Sequence, residues 1–571
     1  MRRAFAACAL ALMTFAPSLA GSPPPASGRH AMVVTEQHLA TKAGLAVLRA
    51  GGNAVDAAIA VAYTLAVVDP CCGNIGGGGF MLVRMADGRS RFIDFRENAP
   101  AAATPNMYLD AHGNIVPGRS TKGWLAIGVP GTVAGMELAR KTFGTMPRAK
   151  LMASAIALAH DGFTLQSGDL VPFAGAKREI GGRAGLAHVA SNVRAIFYPH
   201  GRFPRAGDRL VQPQLAATLR LIAAGGAHAF YDGPIARAIV ASSRRHGGLL
   251  TLADFAHYRA DAVAPLKCTY GNVTLLSAPP PSSGGVVLCE TLNILSGYPL
   301  PSYGWHSARE VHVVAEAERR AYADRNAYLG DPRFVHNPIS ALLSPSYAAK
   351  LRAGIAPMRA TPSVDIHPGL GPVGHENNET THFSIVDKDG NAVAVTYTIN
   401  DWFGAGVIAG HTGFLLNDEM DDFTSKPGVA NMYGLVQGKR NAIAGGKRPL
   451  SSMAPTIAVR NHRVFMVTGS PGGSRIPTIT LETFLNVDDF GMNVQQAVDA
   501  PRIHMQWLPD VVQYEPNAMT PSVISALRAD GYAFSEIPFW GSAQAIVIDP
   551  KTGIRYGGTD RRRPAGSALG Y

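Results

Sequence analysis

Charge, cysteine and long apolar runs are all scarce in this chain, and each scarcity removes a class of protein. Asp, Glu, Lys and Arg make up 16% of the 571 residues, while 47% are apolar. That balance excludes a disordered, solvating chain and calls for a large buried core. Five cysteines are too few for a disulfide scaffold at this length. Cys71 and Cys72 are adjacent, and no CxxC or histidine spacing accompanies them, Cys268 or Cys289. The four read as buried or singly paired thiols, and no metal site is expected. Beyond residue 20 no apolar run reaches the ~20 residues a membrane span needs. The basic excess, +11 with a pI of about 9.4, is scattered apart from 438–449 and 560–564. It is not interleaved with aromatic residues, which argues against nucleic acid as a partner. What remains is a mild attraction for anionic small molecules or envelope surfaces.

What is present begins with an export signal. Arg2 and Arg3 precede an apolar stretch to Ala20, and Ser18-Leu19-Ala20 supplies small residues before a cut. The stretch is short and holds Pro17, so residues 1–20 read as a cleaved bacterial signal peptide, with the mature protein periplasmic or secreted. Residues 39–70 read as helix broken at Gly51-Gly52, 130–260 as mostly helical, and 307–332 as a long amphipathic helix ended by Gly330 and Pro332. The polar, Pro- and Gly-rich stretch 361–379 reads as an exposed connector. Strands dominate afterwards, including "HFSIVDKDGNAVAVTYTI" and "FLLNDEM", joined by turns such as "DKDG". Mixed helices and hairpins predict α+β layers.

Thr380 and Thr381 stand just before the first of these hairpins. With a two-residue turn at Asp389-Gly390, Thr381 faces Thr398 and Thr380 faces Ile399; one more loop residue puts Thr380 opposite Asn400. Strand preference alone accounts for threonines here. A chemical role needs a base within reach, because a threonine hydroxyl is not ionised near neutral pH. A chain cut before Thr380 would supply one, since an α-amino group titrates near ~8 and would sit beside its own hydroxyl.

The hairpin "TTHFSIVDKDGNAVAVTYTIN" (380–400) resembles the start of the small subunit of γ-glutamyltranspeptidase, an N-terminal-nucleophile hydrolase. In the same order as that family stand "GGNAVDAAIA" (51–60), "GNIGGGGFMLV" (73–83), "FIDFRENAP" (92–100), "PPPSSGG" (279–285), "NDEMDDF" (417–423), "KRPLSSMAPTI" (447–457) and "GSPGGSRI" (469–476), with a terminal "GY". The resemblance implies a four-layer αββα sandwich and a precursor that cuts itself between Glu379 and Thr380. The products would be a large subunit (21–379) and a small one (380–571) that remain a heterodimer. Thr380 would be nucleophile, its amine the base, and Thr398 the support of its hydroxyl. Asn400 would help hold the donor, Glu419 and Asp422 its α-amine, and Arg96, Ser451 and Ser452 its α-carboxylate. Backbone N–H groups of Gly472 and Gly473 would form the oxyanion hole, and Tyr433 would wall a lid loop at 427–446. The donors implied are glutathione and other γ-glutamyl compounds; water, amino acids or dipeptides would be acceptors. No metal or organic cofactor is implied. Asp401 and Trp402 depart from the family pattern and bear on the acceptor side. Two rivals remain: an acylase of glutaryl or cephalosporin amides, and an unprocessed envelope binding protein.

Overall fold

Two seven-stranded antiparallel sheets, stacked face to face, form the centre of the protein. The computed structural model describes residues 21–174, 190–198, 201–368, 374–376, 380–427, 429, 432 and 434–571. Residues 1–20, read above as a signal peptide, lie outside the described residues, as do Glu379 and Tyr433. In chain order the sheet strands are β1 (Ala26–Gly28), β2 (Met32–Thr35), β3 (Gly78–Arg84), β4 (Ser90–Asp94), β5 (Asp261–Val263), β6 (Leu266–Tyr270), β7 (Val273–Ser277), β8 (Thr381–Val386), β9 (Ala392–Thr398), β10 (Thr456–Arg460), β11 (Arg463–Thr468), β12 (Gln544–Ile548), β13 (Arg555–Thr559) and β14 (Ser567–Gly570). The first sheet runs β14-β2-β8-β9-β3-β4-β5 and the second β1-β13-β12-β11-β10-β7-β6.

Strand alternation builds the layers. Met32 and Val34, Phe80 and Leu82, and Ala392 and Ala394 meet Ile457, Val467 and Ile546 between the sheets. Their sequence neighbours Val33, Met81, Val83, Val393 and Val395 join a second core with the helices α1 (His38–Arg49), α2 (Ala54–Val68) and α3 (Thr132–Phe143). On the far side, α4 (Gly284–Leu295), α5 (Ala308–Tyr328) and α6 (Ile476–Asp488) cover the second sheet through Leu288, Val314 and Phe484. The strands are apolar on both faces because both faces are covered, which is the αββα sandwich. Each fully buried Val, Leu or Phe adds roughly 1.5–3 kcal/mol. Among the described residues no helix is long and apolar enough to cross a membrane. Disulfides join Cys71 to Cys72 and Cys268 to Cys289, the latter tying β6 to α4. Asp69, Cys71 and Cys72 form the one cluster of possible metal ligands among the described residues, and the disulfide occupies both sulfurs.

Four sequence expectations need correction. The hairpin has a three-residue loop, 388–390, closed by Asp387 N–H donating to Asn391 O at 3.1 Å; Val386 pairs with Ala392 and Thr381 with Tyr397, one step from the two-residue register. Asp387 sets it, its Oδ1 accepting from the backbone N–H of Asp389 and Asn391 at 3.0 Å each, with Gly390 at φ +90° closing the loop. The stretch "FLLNDEM" is not a strand; apart from a bridge at Leu415 its backbone donors turn to other loops, as when Asn417 N–H donates to Gly76 O. α5 is buried on nearly every side rather than amphipathic. Its charges pair internally, for example Arg320 with Glu316 at 2.6 Å. The connector is not exposed throughout: Thr361 donates to Glu316 at 2.6 Å, and Ser363 is buried against Arg319.

Candidate active site

The observed register places Thr380, one residue ahead of β8, opposite Thr398 at the end of β9. Thr380 and Thr398 are both buried and line one small cavity. Arg96, Asn400, Glu419, Asp422, Ser451, Ser452 and Gly473 line it too, so residues far apart in sequence converge on Thr380.

β3 and β9 pair at Gly78 and Thr398, which fixes the strand end. Beyond it the chain turns sharply: Asn400 has φ +75°, its N–H donates to Thr398 Oγ1 at 2.8 Å, and its Nδ2 donates to Asp418 O at 3.1 Å. Asparagine tolerates this left-handed conformation better than most residues. On the opposite wall, Ser451 N–H donates to Pro281 O at 2.8 Å and Ser283 N–H to Ser451 O at 2.7 Å, so the "PPPSSGG" and "RPLSSM" loops brace each other. Gly472 and Gly473 have φ +140° and +53°, dihedrals that a side chain would strain, and lead into α6.

Arg96 dominates the electrostatics. It is fully buried and donates to Glu419 Oε1 through Nη1 and to Asp422 Oδ2 through Nη2. Its Nε donates to Pro449 O at 3.2 Å. Burial pushes the Glu419 carboxyl up to about 7 even though Arg96 pulls the other way. Asp422 is raised for the same reason, opposed by Arg96 and Arg325. The Glu97 carboxyl, also buried, lies 3.7 Å from Arg96 and is held well above the usual range by burial and by Glu419. An internal charge cluster of this kind persists only when its members neutralise one another.

Sequence reasoning missed Arg325. It projects from α5, lines the cavity, and donates to Ser452 Oγ at 3.2 Å and Ser283 Oγ at 3.0 Å. The signal was the charge density of "AERRAYADRN", too high for one solvated helix face. On the other rim, Asp401 pairs with Lys122 at 2.7 Å, and the Arg563 guanidinium sits 4.6 Å from the Trp402 ring centroid. Within 427–446, Met432 N–H donates to Asp421 at 2.8 Å, and the Met432 sulfur lies 3.6 Å from Asn400 Nδ2. His382 offers no base: its ring nitrogens face Thr396 Oγ1 and Ser384 Oγ at 2.8 and 3.1 Å, and burial lowers it to about 3.

A four-layer sandwich with a threonine at the head of a central strand defines the class, an N-terminal-nucleophile hydrolase fold. A family profile described as Gamma-glutamyltranspeptidase matches residues 40–570. The chain is 53% identical over 560 residues to a glutathione hydrolase proenzyme of Pseudomonas sp. (strain A14), covering 97% of this chain and 96% of the relative. A glutathione hydrolase proenzyme of Escherichia coli (strain K12) is 46% identical over 548 residues, covering 96% and 93%. Among solved structures, a cephalosporin acylase from Bacillus halodurans superposes with a TM-score of 0.83 at 28% identity, over 98% of this chain and 99% of the other. The chain belongs to the gamma-glutamyltranspeptidase family and is an enzyme of that type.

Proposed function

We propose that this chain is exported with loss of residues 1–20, cuts itself between Glu379 and Thr380, and then acts in the periplasm or outside the cell as a γ-glutamyl transferase and hydrolase. Residues 21–379 and 380–571 stay together after the cut, because β8 pairs with β2, and β9 with β3, across the two pieces. Thr380 Oγ attacks the γ-carbonyl carbon of glutathione or a similar donor, and the free Thr380 amine takes the hydroxyl proton. N–H groups of Gly472 and Gly473 receive the developing oxyanion; one such donor is typically worth about 3 kcal/mol. The proton passes to the leaving amine, Cys-Gly for glutathione, and a γ-glutamyl-Thr380 ester remains. Water, an amino acid or a dipeptide then attacks the ester carbonyl and frees the threonine. The donor α-ammonium joins Glu419 and Asp422; its α-carboxylate joins Arg96, Ser451 and Ser452, with Arg325 behind Ser452. Asn400 and Thr398 hold the donor and the hydroxyl.

One observation carries the reading. Thr380 shares a buried cavity with a neutralised Arg96–Glu419–Asp422 cluster, and among the described lining residues there is no histidine or lysine to activate it. An N-terminal amine fills that role. The test is a denaturing gel with N-terminal sequencing of native-expressed protein: two bands, the smaller beginning at Thr380, are expected. A single active band would overturn the reading.

A further inference from the structure

At the other end of the sheets the chain builds a second, larger cavity of about 850 Å³. Four turns meet there: β3 to β4, β8 to β9, β10 to β11 and β12 to β13. Six residues of β8 separate it from Thr380, a span of about 20 Å. Arg84, Lys388, Arg460, Arg463, Lys551 and Arg555 line it, against Asp389 and Asp549.

Two of these cations are already neutralised: Lys388 pairs with Asp389 at 2.8 Å, and Arg460 pairs with Asp488. Asp549 Oδ1 is taken by the backbone N–H groups of Lys551 and Thr552 at 2.8 and 2.9 Å. Arg84, Arg463, Lys551 and Arg555 have no carboxylate at ion-pairing distance among the described residues. Two of them are held rigidly by carbonyls instead. Arg84 is only 8% exposed and donates from Nη1 to Met85 O and from Nη2 to His462 O, at 3.1 and 2.8 Å, bridging the two sheets. Arg555 donates to Arg29 O and Asp387 O at 2.7 and 3.0 Å, and its Nε is buried without a partner. Burial lowers both guanidinium groups from their ordinary value. Asp87 acts on Arg84, and Asp387 on Arg555, only from beyond ion-pairing distance. Six cations against two carboxylates in the lining leave positive charge in excess in a partly desolvated cavity, where an anion is attracted more strongly than at an open surface.

We infer that this cavity binds an oligophosphate, two or more linked phosphate groups, either free or carried on a lipid headgroup. Three features set the class. Guanidinium forks match phosphate oxygens two at a time. Four cations without an ion-pair partner suit an anion of several charges, such as two phosphate groups of about −1.5 to −2 each, better than one carboxylate. The volume lies within the range of small-ligand sites, about 300–1,000 Å³. The inference is independent of the Thr380 chemistry and uses none of its residues.

The test uses the full, processed enzyme and the double variant Arg463→Glu/Lys551→Glu, both exposed side chains. Calorimetric titration with inorganic tripolyphosphate is compared with monophosphate at matched ionic strength, and flotation with vesicles carrying a polyprenyl diphosphate is compared with phosphatidylcholine vesicles. Hydrolysis of a γ-glutamyl anilide, expected unchanged, reports that the variant is folded. Binding of tripolyphosphate over monophosphate, weakened at least about tenfold in the variant, supports a free ligand, since each lost charge-assisted hydrogen bond removes about that much. Binding to the polyprenyl diphosphate vesicles alone, lost in the variant, supports a headgroup. No binding in either arm, or binding that the charge reversal leaves intact, overturns the inference.

Discussion

The two ends of the stacked sheets treat charge in opposite ways. Where β8 begins, Arg96 is fully buried and both terminal nitrogens meet carboxylates. Where β8 turns into β9, the ion pair Lys388–Asp389 leaves about 59% and 58% of its side chains exposed, and Arg84 and Arg555 meet the charges of Asp87 and Asp387 only from beyond ion-pairing distance. The residue types are the same; the dielectric surroundings differ. A buried cluster locks its members into one geometry, because each would be costly alone. An exposed pair fixes little, since water and salt screen it. A rigid, internally balanced site suits recognition of a zwitterion, which adds one charge of each sign and leaves the balance intact. An unbalanced cleft suits a ligand that carries net charge.

The largest effect tests the site end. Thr380→Ala removes the hydroxyl that both the cut and the transfer require. The chain is expected to stay in one piece, and γ-glutamyl anilide hydrolysis to fall to background, a loss on the order of a million-fold by analogy with removal of a serine nucleophile. A split but inactive Thr380→Ala protein would assign the cut to another protease and leave Thr380 only the transfer step.

Next in size is Arg96→Met. It leaves Glu419, Asp422 and Glu97 buried with no guanidinium between them, and is expected to destabilise the fold by about 3–5 kcal/mol, read as a lower denaturant midpoint. Unchanged stability would mean that the site end tolerates unpaired charge as the turn end does, and the contrast would dissolve.

Much of this was legible in the sequence. The "HFSIVDKDGNAVAVTYTI" stretch reads as two strands joined by a turn, as found, and Gly51-Gly52 marks the break between α1 and α2. The convergence of Arg96, Thr380, Glu419 and Ser451 was legible only through family resemblance, because no local period links residues so far apart. Three things were hidden. The hairpin register depends on the Asp387 side chain, which supplies a loop closure that "DG" does not advertise. α5 carries its charges inward, against the rule that charged helix faces are solvated, because Glu316 and Asp510 neutralise its arginines and the Thr361 and Ser363 hydroxyls accept hydrogen bonds from them. Arg325 was lost inside that misreading.

A smaller effect concerns pH. If Glu419 receives the donor ammonium, its carboxyl must be ionised, and burial holds it up at about 7. Donor use should therefore weaken as pH falls through 7, about tenfold between roughly pH 8 and pH 6 for a single titration. The Thr380 amine titrates in the same region, so the readout is the ratio of kcat/KM for γ-glutamyl and glutaryl anilides: the glutaryl compound shares the amine step but lacks the ammonium. The ratio should fall with pH in the wild type and flatten in Glu419→Gln. A ratio near one at every pH would favour an acylase of glutaryl amides. For stability the sign is reversed: a carboxyl raised from 4.5 to about 7 favours the fold fully below 4.5 and loses that contribution as pH rises to about 7.

The smallest effect comes from the turn end. Lys388→Ala breaks an ion pair of good geometry, 2.8 Å between Nζ and Oδ1. Geometry alone would rank it beside Asp401–Lys122 at 2.7 Å, where the carboxylate is only 8% exposed. Solvent decides otherwise. Both Lys388 and Asp389 remain hydrated whether or not they touch, and the loop is already closed by Asp387 and Gly390. The denaturant midpoint should barely move, and less still at high salt. Asp401→Ala, which removes the ion-pair partner of Lys122 and the acceptor for Trp402 N–H, should cost more. Equal losses from the two changes would show that burial does not set the value of an ion pair in this protein.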